Sequence, residues 1–114
     1  MKIISKTEGL SLRDVVALTK GTDIRKMKDA VGEVLDFAKV VIYEDEDKDG
    51  KPMTVMAVET AEGAKYATNS GTFIRMYGEI VSIFADSEEE VPTTFKVGTG
   101  TSKQGRDFIT CDIA

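Results

Sequence analysis

Two runs of β-branched and aromatic residues flank an acidic segment, and this arrangement most limits how the chain folds. The first run, EVLDFAKVVIY, covers residues 33–43, and the second, MTVMAVET, covers Met53–Thr60. Both compositions favour strands. The Asp49-Gly50 pair between them is typical of a tight β-hairpin, because both central residues of such a turn take positive φ readily. The pattern therefore predicts an antiparallel hairpin with an acidic tip.

The acidic tip also has part of the pattern of a calcium-binding loop. Asp45, Asp47, Asp49 and Gly50 match the first, third, fifth and sixth positions of an EF-hand loop. The twelfth position is Met56, a thioether where the motif needs a bidentate glutamate. The segment that enters the loop also favours a strand, whereas an EF-hand needs a helix there. We therefore interpret the acids as a solvated hairpin tip.

Two segments have the apolar spacing of helices. Residues 12–20 form a short predicted helix, with Ser11 placed to cap its start and Gly21 just past its end. The second helix is capped by Ser70 or Thr72. Its apolar stripe consists of Phe73, Tyr77, Ile80, Val81 and Phe84. The segment at residues 23–32 is interpreted as a connector.

The remaining segments complete a predicted set of five strands. A short third strand, YAT, follows the hairpin, and the last two strands cover residues 93–100 and 106–113. A Gly- and Ser-rich loop joins these last two. Five strands with a helix between the third and fourth are the pattern of an OB-fold barrel. We predict an α+β, mainly β protein: a single OB-fold-like domain over residues 1–114, with an additional N-terminal helix.

The composition favours a binding protein over an enzyme. With 114 residues, 41% hydrophobic and 31% charged, the chain suits one globular domain. It contains no histidine, so the commonest general base and the commonest metal ligand are missing, and its one cysteine cannot form an internal disulfide. Neither a membrane span nor a secretion signal is visible. We expect a cytoplasmic, non-enzymatic protein without a metal or cofactor.

The net charge of -5 is concentrated in two segments. Residues 44–51 carry five acids and two lysines, and DSEEE at 86–90 carries a net charge of -4. The remaining residues have a net charge of +2, which leaves room for a basic face. The segment VGTGTSKQGR resembles a phosphate loop only weakly, because Ser102 precedes Lys103 and Gln104 follows it.

Cations and aromatic rings lie close together along several predicted strands. Single-stranded nucleic acid is bound by cations that follow its backbone and by rings on which bases stack. On the last strand, Ile109, Cys111 and Ile113 share one face, so Phe108 is the ring expected to be exposed; Tyr43 and Tyr66 are either core residues or stacking platforms. The candidate phosphate contacts are Lys39, Lys65, Lys96, Lys103 and Arg106, and the candidate stacking rings are Tyr43, Tyr66 and Phe108.

Four segments together resemble a known family. These are ISKTEGLSLRDVVALTK, MKDAVGEVLDFAKVVIYEDE, YATNSGTFIRMYGEI and TFKVGTGTSKQGRDFITCDI. In order and spacing they resemble the small single-stranded-DNA-binding proteins of tailed bacteriophages that infect Gram-positive bacteria. The resemblance implies an OB-fold protein that coats and protects single-stranded DNA during phage replication in the host cytoplasm. It leaves phage or host replication proteins as candidate partners, although we do not expect recruitment through a long acidic tail of the kind that many bacterial relatives by fold carry.

Two other interpretations stay open at this point. An acidic phage protein could instead bind and inhibit a host enzyme by presenting DNA-like charge, which the net charge of -5 suits. A small enzyme or a calcium switch is disfavoured by the missing histidine and the incomplete motifs. The apolar face of the helix at 12–20 could cover its own barrel or form a homo-oligomer with a second copy.

Overall fold

The computed structural model describes residues 1–114. It contains a seven-stranded, mostly antiparallel sheet and two α-helices. The sheet curls into a half-barrel. A single 3-10 turn, Met27–Ala30, follows the second strand. The helices are α1 (Leu12–Lys20) and α2 (Gly71–Ala85), and the strands are β1 (Lys2–Lys6), β2 (Arg25–Lys26), β3 (Val34–Glu46), β4 (Pro52–Thr60), β5 (Lys65–Thr68), β6 (Thr94–Thr101) and β7 (Asp107–Ile113).

The long strand β3 is the centre of the sheet. The strand order is β2-β5-β4-β3-β6-β7, and β1 also pairs with β3. One edge of β3 pairs with β4. Its other edge pairs with β6 through residues 34–36 and with β1 through residues 41–44. The 13 residues of β3 thus hold three neighbouring strands in place.

A register shift in β3 reverses its inward-facing positions. The shift against β4 lies between Phe37 and Lys39. Such a bulge moves side chains to the opposite face of the strand. Leu35 and Phe37 before it, and Val40 and Ile42 after it, therefore all belong to the main core. The positions after the bulge that alternate with these point to the other face of the sheet.

The sheet is buried on both faces by two apolar clusters. The main core lies between one face and α2, and Phe73, Phe95 and Val97 in it are completely buried. Three rings, Phe37, Tyr77 and Phe95, contact one another there with centroids 5.1–6.1 Å apart. On the opposite face, α1 covers a smaller cluster made of Leu18, Val41, Tyr43, Val55 and Ala57.

Both helices begin where the sequence places a capping residue. In α1, the Ser11 Oγ accepts from the Asp14 backbone N–H, and the Asp14 carboxylate accepts from the Ser11 N–H, both at 3.1 Å. This reciprocal pair is a capping box. In α2, the Ser70 Oγ accepts from the Phe73 N–H at 3.2 Å, so Ser70 rather than Thr72 is the cap. Neither helix is long and apolar enough to cross a membrane.

The acidic segment forms the tip of the β3–β4 hairpin, as predicted. One Asp47 oxygen accepts from the backbone N–H groups of Asp49 and Lys51, at 2.8 and 3.0 Å. Gly50 has a φ of +78°, a conformation that glycine adopts without strain. Strands rather than helices enter and leave the tip, so it lacks the helix–loop–helix geometry of an EF-hand.

The predicted number of five strands is wrong, because β1 and β2 were missed. Every residue of β1 is exposed, so its sequence lacks the apolar alternation that identifies a half-buried strand. The predicted connector at 23–32 holds the two-residue β2 and the 3-10 turn with the buried Met27 and Ala30. The strand predicted at residues 93–100 is confirmed with a shift of one residue, since β6 covers Thr94–Thr101.

Replacing Leu18 by Ala should destabilise the protein by about 2–5 kcal/mol, because it leaves a cavity between α1 and the sheet. Leu18 is 1% exposed. The matched control on the same helix is Val16→Ala, whose side chain is 59% exposed and which should change stability by less than about 0.5 kcal/mol. Urea unfolding of both variants measures the difference. Equal stabilities would contradict the packing of α1 described here.

Candidate functional site

The predicted binding residues lie in two separate parts of the fold. Lys39, Tyr43, Lys65 and Tyr66 lie on β3 and β5. The others belong to the β6–β7 hairpin: Lys96, Lys103, Arg106 and Phe108. No pairing joins β5 to β7, which lie on opposite sides of β3 in the sheet order. The two groups therefore lie in different parts of the sheet.

Both predicted tyrosine platforms are packed into the protein. Tyr43 lies in the cluster under α1, and Tyr66 lies in the main core on the opposite face of the sheet. Each is 6% exposed. Burial also raises the pKa of the Tyr43 phenol, with a smaller effect from the nearby charge of Asp45. In this structure neither ring offers a face to a base, because Tyr43 packs under α1 and Tyr66 packs into the main core.

Lys39 and Lys65 belong to a network of ion pairs that ties α1 to the sheet. The Lys39 Nζ lies 3.0 Å from the Asp14 carboxylate and 3.3 Å from that of Glu59. The Lys65 Nζ lies 2.9 Å from Asp23 and 4.0 Å from Glu59. Since Asp14 is in α1 and Asp23 follows it, both lysines hold the helix and its connection against β4 and β5. Their charges are already compensated by carboxylates.

The network shifts the pKa values of Lys39, Asp14 and Asp23. The hydrogen bond with Asp14, and then that with Glu59, raises the pKa of Lys39. The same hydrogen bond lowers the pKa of Asp14, and the hydrogen bond from Lys65 lowers the pKa of Asp23. Carboxyl groups whose pKa is lowered by folding stabilise the folded state above their unfolded pKa of about 3.9. That stabilisation is lost as the pH falls through the folded-state pKa.

The β6–β7 hairpin has one face in the core and one face outside it. Phe95, Val97 and Cys111 are completely buried in the main core. Strand alternation places their neighbours on the other face. There the cross-strand pairs are Lys96 with Asp112, Gly98 with Thr110, and Gly100 with Phe108. We call this the hairpin face.

The Phe108 ring lies directly on the backbone of Gly100. A Cβ atom at Gly100 would lie 2.7 Å from Cζ and 2.8 Å from Cε2 of Phe108, closer than side-chain carbons approach. Only glycine therefore lets the ring settle onto β6. Gly98 similarly leaves room for the Thr110 hydroxyl. Both glycines lie within the strand predicted at residues 93–100, and their contacts with Phe108 and Thr110 depend on the pairing of β6 with β7.

Phe108 differs from most of the aromatic residues because it is outside both core clusters. The chain has five Phe and three Tyr residues, and six of these eight rings belong to a cluster or pack against one. The two others are Phe84 of α2 and Phe108, and both are partly exposed. The predicted exposure of Phe108 is therefore confirmed in part. It is the one ring on a strand that stays open to solvent.

The hairpin that carries this ring also carries three cations without carboxylate partners. Lys96, Lys103 and Arg106 are exposed and form no ion pair. The turn that carries two of them is ordered, since the Ser102 N–H donates to the Arg106 carbonyl at 2.8 Å and the Ser102 Oγ accepts from the Arg106 N–H at 3.1 Å. The hairpin face thus combines a seated ring with free positive charge.

Candidate groups for catalysis and metal binding are few. No group of three or more His, Cys, Asp or Glu side chains is positioned to hold a metal ion. Cys111 is completely buried in β7, and burial, with a smaller effect from Asp112, raises the pKa of its thiol to about 12. A thiol of this kind is protonated at neutral pH and shielded from reagents.

Cys111 should therefore react with a thiol reagent only after unfolding. We expect no labelling of the native protein by an aromatic disulfide reagent at pH 8, and one equivalent of labelling in guanidinium chloride. Absorbance of the released thiolate measures both. Rapid labelling of the native protein would show that β7 opens. Because folding raises this pKa, the thiol should also lower stability as the pH rises above about 8.5, where the unfolded thiol ionises.

Replacing Lys39 by Gln should lower the melting temperature by a few degrees near pH 7, because Asp14 and Glu59 lose their shared partner. Lys48→Gln is the control, since Lys48 is exposed at the hairpin tip and forms no ion pair. Circular dichroism against temperature measures both. The difference should shrink as the pH falls below about 3.9 and through the lowered pKa of Asp14, where its carboxylate becomes protonated. A difference that is independent of pH would rule out an electrostatic origin.

The comparison with known protein families matches nearly the whole chain. No curated protein and no solved structure matches. The family model described as "Phage Single-stranded DNA-binding protein", of the Phi29 type, matches residues 6–114. The match includes the hairpin face, α1 and both core clusters. The chain therefore belongs to the phage single-stranded DNA-binding protein family.

Proposed function

We propose that this protein coats single-stranded DNA without sequence preference, using the hairpin face as its main contact. The observation that carries the proposal is the Phe108 ring seated on Gly100, on a hairpin that also carries three unpaired cations. Because every base has a π-face, stacking on such a ring tolerates all sequences. Membership of the family supports DNA binding, and the hairpin face supports this location for it.

Phosphate groups are bound by Lys96, Lys103 and Arg106 in this proposal. Each cation that replaces a condensed counterion on single-stranded DNA steepens the salt dependence of log K by about 0.7. Lys39 and Lys65 are less suited to this role, since their carboxylate partners would have to be displaced first. The acidic tip at 44–51 and the acidic segment at 86–90 repel phosphates and confine the strand to other surfaces.

The pairing order supports assignment of the sheet to the OB-fold type. β3, β4 and β5 form a meander, β3 also pairs with β6, and α2 lies between β5 and β6 in the chain. Without a pairing between β5 and β7, the barrel would be open there. OB-folds bind oligonucleotides on the face of their second and third strands and through the loops between strands one and two and between strands four and five. The last of these loops corresponds here to the β6–β7 turn.

The biological role follows from the family and stays a proposal. The protein would protect and hold open the DNA strand exposed during phage genome replication in the host cytoplasm. Leu12 and Val16 on the outer side of α1 are 80% and 59% exposed, so a second copy or a replication protein could pack there.

Replacing Phe108 by Ala should weaken binding of oligo-dT by about 1–3 kcal/mol, or roughly 5- to 150-fold. Gly100→Ala should also weaken binding, because the new Cβ displaces the ring from β6. Phe84→Ala is the control, since it removes a partly exposed ring on α2. Fluorescence anisotropy measures affinity, and circular dichroism checks folding.

Duplex DNA of equal length gives the test of strand preference. Salt-sensitive binding that prefers oligo-dT is expected for all folded variants, with Phe108→Ala weakest. Equal affinity of Phe108→Ala and the unsubstituted protein would remove the hairpin face from the site. No binding of oligo-dT at low salt would overturn the whole proposal and favour an acidic protein-interaction role.

A further inference from the structure

A groove outside the hairpin face lies on the α1-covered side of the sheet, next to the first residues of β4. It has a volume of about 400 Å³, at the lower end of the roughly 300–1,000 Å³ typical of small-ligand sites. We call it the Lys26 groove. Its lining comprises Lys26, Met27, Lys28, Met53, Val55, Ala67, Thr68 and Asn69.

The position of this groove follows from the strand pairing. β2 pairs in parallel with β5, which sets Lys26 beside Ala67. Val55 belongs to the cluster under α1, and Met53 and Ala67 pack against that cluster. The floor of the groove is therefore the part of the β4–β5 surface that α1 leaves uncovered. Sequence reasoning missed it because the segment carrying Lys26 and Lys28 had been interpreted as a connector.

The charge of the groove suits an anion. Lys26 and Lys28 are exposed, form no ion pair, and border the groove, whereas no acidic residue lines it. The groove beside β1, by contrast, is lined by Glu44, Asp45 and Glu46. Two free ammonium groups beside an uncharged floor complement a phosphate with an attached apolar group.

The floor of the groove suits a planar ring. Met53 is partly buried, and its thioether is a soft, polarisable surface that makes favourable contacts with aromatic rings. The Asn69 amide Nδ2 lies 3.6 Å from the Met53 Sδ, so the amide lies beside the thioether in the lining of the groove. Its carbonyl oxygen forms no hydrogen bond and is free to contact a base edge.

We propose that the Lys26 groove holds one nucleotide of the bound single-stranded DNA, with a phosphate between Lys26 and Lys28 and the base against Met53. The inference rests on the proposed function and adds a second contact to it, on the β2–β5 side of the sheet rather than on β6–β7. The strand would then contact the protein at both positions, with α1 covering the surface of β3 and β4.

A single tryptophan reports on the groove directly. The chain has no Trp, so Met53→Trp places the sole indole in the groove and Phe108→Trp places one on the hairpin face. Ile83→Trp on α2 is the control, because Ile83 is 68% exposed and outside both surfaces. Addition of oligo-dT should quench Met53→Trp and Phe108→Trp but not Ile83→Trp. Quenching of Phe108→Trp alone would overturn the groove and leave the hairpin face intact.

Charge removal gives the second measurement. The double variant Lys26→Gln/Lys28→Gln should reduce the salt slope of log K by about 1.4 and weaken binding about 25-fold near 0.1 M salt, by counterion release from two phosphate contacts. Lys48→Gln/Lys51→Gln removes the same charge from the acidic tip and should leave the slope unchanged. An unaltered slope in the groove variant would overturn the proposal. If the unsubstituted protein fails to bind oligo-dT, the proposed function itself fails, which distinguishes the two outcomes.

Discussion

The burial of β3 on both faces is the constraint on which the rest of the structure depends. Strands of an antiparallel sheet commonly have one face in the core and one face in water. In contrast, β3 has the main core on one face and the cluster under α1 on the other. The register shift after Phe37 makes this possible, because it brings Leu35, Phe37, Val40 and Ile42 to one face despite their odd spacing. With both edges also paired, β3 sets the positions of β1, β4 and β6.

Because α1 covers one face of β3, it determines which cations and aromatic rings remain free to contact a ligand. The helix buries Tyr43. Asp14 in the helix and Asp23 after it form ion pairs with Lys39 and Lys65. An ion-pair network at the surface contributes little to stability pair by pair, but it orients the helix on the sheet. The β6–β7 hairpin and the Lys26 groove both keep exposed cations that form no ion pair. Both combine an apolar contact surface with positive charge, which single-stranded DNA requires.

The turn, the helices and their caps could be predicted from the sequence, whereas strand pairing and burial by distant residues were harder to predict. The Asp49-Gly50 turn, the α1 helix at Leu12–Lys20 and the Ser70 cap of α2 depend on neighbouring residues, and the patterns that indicate them were correct or nearly so. β1 was missed because all five of its residues are exposed, and its pairing depends on an edge of β3 far along the chain. The same limit explains Tyr43 and Tyr66, whose burial depends on packing partners that local sequence does not reveal.

The sequence by itself determined the mixed α+β class, the acidic hairpin, the two helices and the resemblance to phage single-stranded DNA-binding proteins. It also placed Phe108 on the outer face of the last strand, because alternation along a strand depends only on the positions of adjacent residues. Only the tertiary structure decided that Gly100 lies beneath that ring. It also decided that Lys39 and Lys65 form ion pairs with Asp14 of α1 and with Asp23, which follows α1. It also decided that Lys26 and Lys28 border an uncovered groove. These facts depend on which distant segments meet, and that is set by the shared packing on β3.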